Sequence, residues 1–143
     1  MVSRRLFYCI LVVLAATLLG SSTLAETIAP TYDLSGIWSN GRDPGGSHFF
    51  QNGDEVRTIY VNRGFAQFYS GKYVSATIVE GVWLRKNRSN GCVTKLKEKL
   101  SVVSADTMNS EWEALDSNCD LQKGKSGTDT LNRQKAVEDK LWY

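Results

Sequence analysis

The segment Leu34-Ser35-Gly36-Ile37-Trp38 decides the fold, because its pattern returns 45 residues later as Val79-Glu80-Gly81-Val82-Trp83. In both places an apolar residue, a polar residue, a glycine, a β-branched residue and a tryptophan follow one another. Glycine inside a β-rich segment is typical of a bend or of a close approach by neighbouring backbone. The tryptophan two residues later is large enough to fill the space beneath a sheet. Two such segments indicate a barrel or a sandwich built from repeated hairpins.

Short β-rich segments separated by turn residues recur through the rest of the chain. Asn52-Gly53-Asp54 lies between two of them, and Asn-Gly between apolar segments is a strong hairpin signal. Val56, Thr58 and Tyr60 alternate with other residues and are predicted to share one strand face. The fold class is therefore all-β, an antiparallel up-and-down meander barrel of about eight strands, with a β-sandwich as the alternative. The predicted strands are 34–39, 47–51, 56–62, 65–69, 73–85 (bent at Gly81), 93–103, 108–115 and 128–133.

The segment from Val93 to Val103 fits two structures. Leu96 and Leu100 have a spacing that suits either a helix or one face of a strand, and the flanking valines and threonine favour a strand. On a strand, Glu98 faces inward beside the leucines, which indicates either a bulge or a functional carboxylate. Three lysines would then face solvent: Lys95, Lys97 and Lys99.

Residues 1–25 have the pattern of a secretory signal peptide. Arg4 and Arg5 precede an almost wholly apolar segment over residues 6–19. Thr23-Leu24-Ala25 then supplies small residues at the positions that a signal peptidase recognises. The apolar segment is shorter than the about 20 residues that a transmembrane helix needs. The two arginines also resemble a twin-arginine motif, so the route stays open between Sec and twin-arginine export. Either route predicts a periplasmic or secreted protein.

Cleavage after residue 25 leaves 118 residues, enough for one domain. We predict an extended leader over 26–33, a β-barrel domain over 34–133 and a tail or short amphipathic helix over 134–143. Removal of Arg4 and Arg5 with the signal leaves 15 basic and 15 acidic residues. This balance argues against nucleic-acid and anionic-membrane binders, which carry a basic excess. No membrane anchor is expected after cleavage.

Cys92 and Cys119 are the cysteines that remain after signal cleavage. An even pair in an oxidising compartment predicts a disulfide. Closing that loop stabilises the fold by roughly 3–4 kcal/mol on the chain-entropy estimate.

The residues argue against catalysis, a metal and a cofactor. His48 is the only histidine, and its neighbour Ser47 points to the opposite face of a strand, so the two cannot form a nucleophile–base pair. The segment 116–120 begins like a calcium loop, but Leu121 and Gly127 occupy the positions where glycine and glutamate are needed. A non-enzymatic protein is the prediction.

The aromatic residues of the predicted strands have two interpretations. They line a ligand cavity, or they simply fill an eight-stranded interior, which is just wide enough for side chains or one small ligand. The residues concerned are Trp38, Tyr60, Phe65, Phe68, Tyr73, Trp83 and Trp112.

A Gly-x-Trp strand that opens a meander barrel behind a signal peptide resembles the lipocalin and avidin superfamily. The segment from Gly36 to Asn40, followed by Ser47, resembles the first strand and loop of the avidins, where Asn and Ser bind the ureido oxygen of biotin. The segment from Gly127 to Arg133 resembles their last strand, where an Asp binds a ureido nitrogen. The resemblance implies three biotin-binding positions: Asn40, Ser47 and Asp129. The chain departs from that family at Leu121, where the avidins have a tryptophan.

The opening Leu34-Ser35-Gly36-Ile37-Trp38 also resembles small periplasmic metalloprotease inhibitors, a second group of eight-stranded barrels. In that family the N-terminal leader enters the protease cleft, so the resemblance implies that residues 26–33 act on a protein partner. The disulfide of that family lies early in the barrel, whereas Cys92 and Cys119 lie late.

The leading hypothesis is an exported, non-enzymatic binding protein that holds a small apolar or biotin-like ligand in the barrel mouth. The alternatives are a protease-inhibitor-like barrel with a protein partner and a structural envelope protein with a solid barrel. The oligomeric state stays open. The candidate ligand-binding residues are Trp38, Asn40, Ser47, Tyr60, Trp83, Trp112 and Asp129.

Overall fold

The computed structural model describes residues 28–42, 45–119 and 121–135. The predicted signal peptide, the first two residues of the predicted leader and residues 136–143 of the predicted tail lie outside the described residues. Within the described ranges, no helix has the length and apolarity needed to cross a membrane.

Eight antiparallel strands form a closed barrel in which each strand pairs with its sequence neighbours and β1 pairs with β8. The up-and-down order confirms the predicted meander barrel and excludes the sandwich. The strands are β1 (Gly36–Ser39), β2 (Ser47–Asn52), β3 (Glu55–Val61), β4 (Phe65–Ser75), β5 (Ile78–Asn87), β6 (Val93–Ser104), β7 (Thr107–Ser117) and β8 (Ser126–Arg133).

The boundaries of β4 and β5 correct the sequence prediction. The strand predicted over 73–85 is interrupted by a turn at Ala76 and Thr77, so its first residues belong to β4 and the rest to β5. The break predicted near Gly71 does not occur, because Gly71 pairs directly with Gly81 across the β4–β5 ladder.

The Gly71–Gly81 pair explains how the two strands fit together. A Cβ on Gly81 would lie 2.5 Å from the Gly71 Cα, 2.5 Å from the Ser70 carbonyl oxygen and 2.6 Å from the Tyr69 ring. Both glycines therefore leave interior space for Tyr69, whose ring packs against the Trp83 ring at 5.2 Å between centroids. Gly81 thus has the close backbone approach that the Gly-x-Trp pattern predicted.

Side chains alternate between the interior and the outer face along the strands. Val56, Thr58 and Tyr60 share one face of β3, as predicted, and this face is the buried one. The segment that fitted both a helix and a strand is strand β6. Its buried residues are Thr94, Leu96, Glu98, Leu100 and Val102, and the three lysines between them point outward.

Of the aromatic residues predicted either to line a ligand cavity or to fill the interior, Phe68 does neither and Tyr73 fills the interior. Phe68 is 51% exposed on the outer face, because alternation along β4 places Tyr69 inside. Tyr73 is buried in the core, and its hydroxyl donates to the carbonyl of Tyr32 at 3.0 Å. Neither residue therefore lines the mouth.

The two ends of the barrel differ. The turns after β2, β4 and β6 lie at one end together with the residues that precede β1, and we call this the closed end. The loops after β1, β3, β5 and β7 lie at the other end, which we call the open end. This arrangement follows from the up-and-down strand order.

The described part of the predicted leader covers the closed end. Ile28 and Tyr32 pack against the core, and Leu34, which follows the leader directly, is fully buried. The Thr31 amide donates to the carbonyl of Ala76 at 2.9 Å, in the β4–β5 turn. The leader is therefore attached to the barrel through these contacts.

The seam between β1 and β8 contains only two residue pairs, one of which joins Trp38 to Arg133. Arg133 adds contacts that the ladder lacks. Its guanidinium lies over the Trp38 ring at 4.6 Å and donates to the carbonyls of Ser35 at 2.5 Å, Asp33 at 2.6 Å and Ala105 at 2.9 Å. This one side chain therefore ties β8 to β1, to the leader and to the β6–β7 turn.

Gly81→Ala is expected to lower the free energy of unfolding by about 1–3 kcal/mol, because the new methyl group meets backbone that cannot move aside cheaply. Denaturant unfolding measures the change. Gly45→Ala is the matched control, because a Cβ at Gly45 meets nothing within 4 Å. Equal losses for the two variants would show that the close approach at Gly81 does not matter.

Arg133→Lys is expected to lower the free energy of unfolding by about 1–3 kcal/mol, because an ammonium cannot reproduce the planar set of donors. The exposed Arg63→Lys provides the control. Thermal unfolding of both variants beside the wild type measures the effect, and an unchanged Arg133→Lys would contradict the role of Arg133 at the seam.

Candidate functional site

Two adjoining cavities lie inside the open end, and we call them together the mouth cavity. The larger has a volume of about 330 Å³, and the smaller has a volume of about 170 Å³. The larger volume lies at the lower end of the range typical of small-molecule sites. The residues that line both are Asn40, Ser47, Gln67, Arg85 and Leu131.

The structure brings all seven candidate binding residues to the mouth cavity. They come from both ends of the sequence and meet because the sheet closes. Phe65 also lines the smaller cavity. Trp38 and Tyr60 line the smaller cavity, Trp83, Trp112 and Asp129 line the larger one, and Asn40 and Ser47 line both.

Asp129 and Asn40 form the rim where β8 meets the loop after β1. The Asn40 Nδ2 donates to Asp129 Oδ1 at 3.5 Å, and the Arg42 guanidinium pairs with the same oxygen at 3.0 Å. The Asp129 side chain is 22% exposed. In the described part of the chain, no hydrogen bond or ion pair uses Asp129 Oδ2. That oxygen can accept a hydrogen bond from a ligand.

Glu98 is the buried carboxyl group of the mouth cavity and is 6% exposed. Trp83 Nε1 donates to Oε2, and Ser110 Oγ donates to Oε1. Glu98 pairs regularly with Gly81 on β5 and with Trp112 on β7. The sequence prediction that Glu98 faces inward is therefore confirmed, and the predicted alternative of a bulge at this residue is wrong.

The surroundings of Glu98 favour its neutral form. Burial raises the pKa of Glu98, the hydrogen bonds from Ser110 and Trp83 oppose that shift, and the Asp129 carboxylate raises the pKa further. Burial and the charge of Glu98 also raise the pKa of Tyr69, which therefore stays a neutral phenol. A protonated carboxyl group donates one hydrogen bond and also accepts, whereas a carboxylate only accepts. Glu98 can therefore bind a ligand acceptor when it is protonated and a ligand donor in either state.

Arg85 is a cation in the wall that the sequence analysis missed. Its guanidinium lies 3.6 Å from the centroid of the Phe65 ring, and burial lowers its pKa. Gln67 pairs with it across the β4–β5 ladder and lines the same two cavities. The signal was present in the sequence, because Arg85 follows Trp83 by two residues and alternation places both on one face.

The disulfide joins two loops of the open end. Cys92 and Cys119 are bonded, with their Cα atoms 5.4 Å apart, as predicted. The Val93 amide donates to Asn118 Oδ1 at 2.6 Å beside them. Leu121 follows in the same loop and lines the larger cavity. The crosslink therefore anchors the loop that carries Leu121 to the mouth.

The geometry around the single histidine agrees with the sequence prediction. His48 is exposed on the outer face, whereas Ser47 lines the cavity, so their side chains do not meet. Across residues 28–42, 45–119 and 121–135, no group of three or more His, Cys, Asp or Glu side chains is placed to hold a metal ion.

Comparison with known proteins gives no match. No protein-family model, no curated protein and no solved structure matches this chain.

Glu98→Gln is expected to stabilise the fold relative to the wild type increasingly as the pH rises. A raised pKa in the folded state means that the stability contributed by protonated Glu98 is complete below the ordinary value of 4.5 and is lost as the pH rises through the folded pKa. Glutamine stays neutral and has nearly the same shape. Denaturant unfolding from about pH 4 to about pH 8 measures the difference, and a difference independent of pH would contradict the raised pKa.

Proposed function

We propose that the protein is an exported binding protein, periplasmic or secreted, that holds one small polar organic molecule in the mouth cavity without catalysing a reaction. The observation that supports this most is the buried Glu98, oriented by Trp83 and Ser110 inside a cavity that opens at the barrel end. A carboxyl group oriented by two donors in a cavity wall is suited to recognition. The disulfide is consistent with an oxidising compartment.

The polar groups of the wall favour a biotin-like ligand over a purely apolar one. An apolar molecule would cover Asp129 Oδ2, which no described group contacts, without donating to it, and a buried unpaired polar group costs about 1–3 kcal/mol. A ligand with N–H groups, such as a urea, an amide or a guanidine, can donate to both carboxyl groups. The rings of Trp83 and Trp112 can enclose its apolar part.

The resemblance to the avidins supports the same chemistry. It implies ligand contacts for Asn40, Ser47 and Asp129, which all line the larger cavity. The ureido group that those residues would bind offers the N–H donors that the two carboxyl groups require. We therefore propose a ligand with a urea-like head and an apolar body.

The two other hypotheses have less support. A protease inhibitor that acts through its leader would have to free leader residues that now pack against the closed end, including Ile28 and Tyr32. A purely structural barrel would gain stability from apolar packing where Glu98, Gln67 and Ser110 stand.

Native mass spectrometry tests the proposal on the oxidised, exported protein. We expect a small mass that accompanies the folded chain and is lost on denaturation. A protein that carries no such mass, and that also fails to bind biotin and urea-bearing acids by calorimetry, would contradict the proposal.

Asp129→Asn is expected to weaken ligand binding by about tenfold or more, because it replaces a charged acceptor at the rim by an amide. Calorimetry with the copurified ligand measures the change. Asp116→Asn is the matched control, since Asp116 is exposed on β7. Wild-type affinity of the Asp129→Asn variant would show that Asp129 does not bind the ligand.

A further inference from the structure

Arg85 occupies an oriented position in the mouth cavity. Alternation along β5 places it on the inner face two residues after Trp83, and its guanidinium lies against the Phe65 ring at 3.6 Å. Stacking on an aromatic face restricts the plane of a guanidinium and leaves its N–H edges for other partners. Because Arg85 lines both cavities, these N–H groups are part of the cavity wall.

The charge of Arg85 has no carboxylate partner among the described residues. Ion pairs exist for Arg42, Arg57 and Arg133, whereas no described carboxylate lies within ion-pair distance of Arg85. Asp129, a carboxylate of the same cavity, pairs with Arg42. A partly buried cation without a counter-charge is unfavourable, and an anionic ligand would relieve that cost.

We infer that the ligand of the mouth cavity carries a carboxylate group and that Arg85 binds this group. The inference rests on the proposed binding function and adds the chemical class of the ligand, a small organic acid. The planar guanidinium matches a carboxylate through two parallel hydrogen bonds. Gln67, which pairs with Arg85 across the ladder, lies on the same wall and can contribute its amide.

The charges of the cavity limit the acid to a single negative charge. Arg85 is the one unpaired cation among the described residues that line the two cavities. A dianionic group such as a phosphate monoester would bring two negative charges against the single unpaired cation Arg85, because Arg42 already pairs with Asp129. A monoanionic carboxylate is neutralised by Arg85 alone.

The register of the sheet separates the acid-binding position from the buried carboxyl. Arg85 pairs with Thr94, and Glu98 lies four residues further along β6. At about 3.3 Å per residue, the two backbone positions are about 13 Å apart along the strand. The ligand is therefore an elongated molecule with an N–H-bearing head toward Glu98 and a carboxylate toward Arg85.

Matched pairs of probes test the inference on the oxidised protein. The probes are ureidohexanoic acid and biotin, and each is compared with its own primary amide. The amide lacks the negative charge of the acid and is otherwise the same molecule. Titration followed by calorimetry and by tryptophan fluorescence is expected to show each acid binding about tenfold or more tightly than its amide. Arg85→Gln is expected to abolish that preference.

Lys86→Gln is the matched control, because it removes the same charge from the neighbouring, exposed position of β5. It is expected to keep the preference for the acids. Arg85→Lys keeps the positive charge but removes the planar arrangement of N–H donors. It is expected to retain only part of the preference for the acids over their amides. Circular dichroism verifies that each variant is folded, and the wild-type comparison of acid with amide decides the matter should Arg85→Gln not fold.

The possible outcomes distinguish a failure of the inference about Arg85 from a failure of the proposed binding function. Equal binding of acids and amides by the wild type, or a preference that survives Arg85→Gln, would overturn the inference and leave the binding function in place. A copurified molecule without an acidic group would do the same. A bare protein that binds none of the four probes would overturn both.

Discussion

The structure depends on the contact between Arg133 and Trp38, because it reinforces the short seam at which the barrel closes. β1 contributes only two residue pairs to β8, and Arg133 adds three hydrogen bonds to backbone carbonyls around that seam. A closed sheet has no free edge, and its interior becomes a bounded space. Asn40 and Asp129, 89 residues apart, form the rim of the mouth only because this seam brings them together.

The interior divides into two halves with different chemistry. Toward the closed end, large rings and aliphatic side chains such as Phe49, Tyr73 and Leu34 are almost completely buried. Toward the open end, the inward positions include Glu98 and Arg85, which cannot pack as an apolar core. The polar positions account for a cavity at one end of a barrel whose other end is packed with large buried side chains. The proposed function and the inference about Arg85 give these charged residues the same role, which is to bind a ligand.

Much of the fold could be predicted because it follows from alternation and turn residues. The shared face of Val56, Thr58 and Tyr60 on β3, the inward position of Glu98 and the disulfide between Cys92 and Cys119 are all confirmed. The turn at residues 76–77 was missed, because the glycines near it suggested breaks although they serve a close approach between strands. Phe68 was placed inside wrongly, since residue type was given more weight than position in the alternating pattern.

The sequence by itself determined the strand period, the repeated Gly-x-Trp unit, the paired cysteines and the positions that face inward, because these depend on neighbours along the chain. Only the tertiary structure decided that Arg133 holds the seam and that Arg85 stands in the mouth without a carboxylate partner among the described residues. Partners that are distant in sequence meet through the register and closure of the sheet. Register is a property of the whole barrel, and no local pattern contains it.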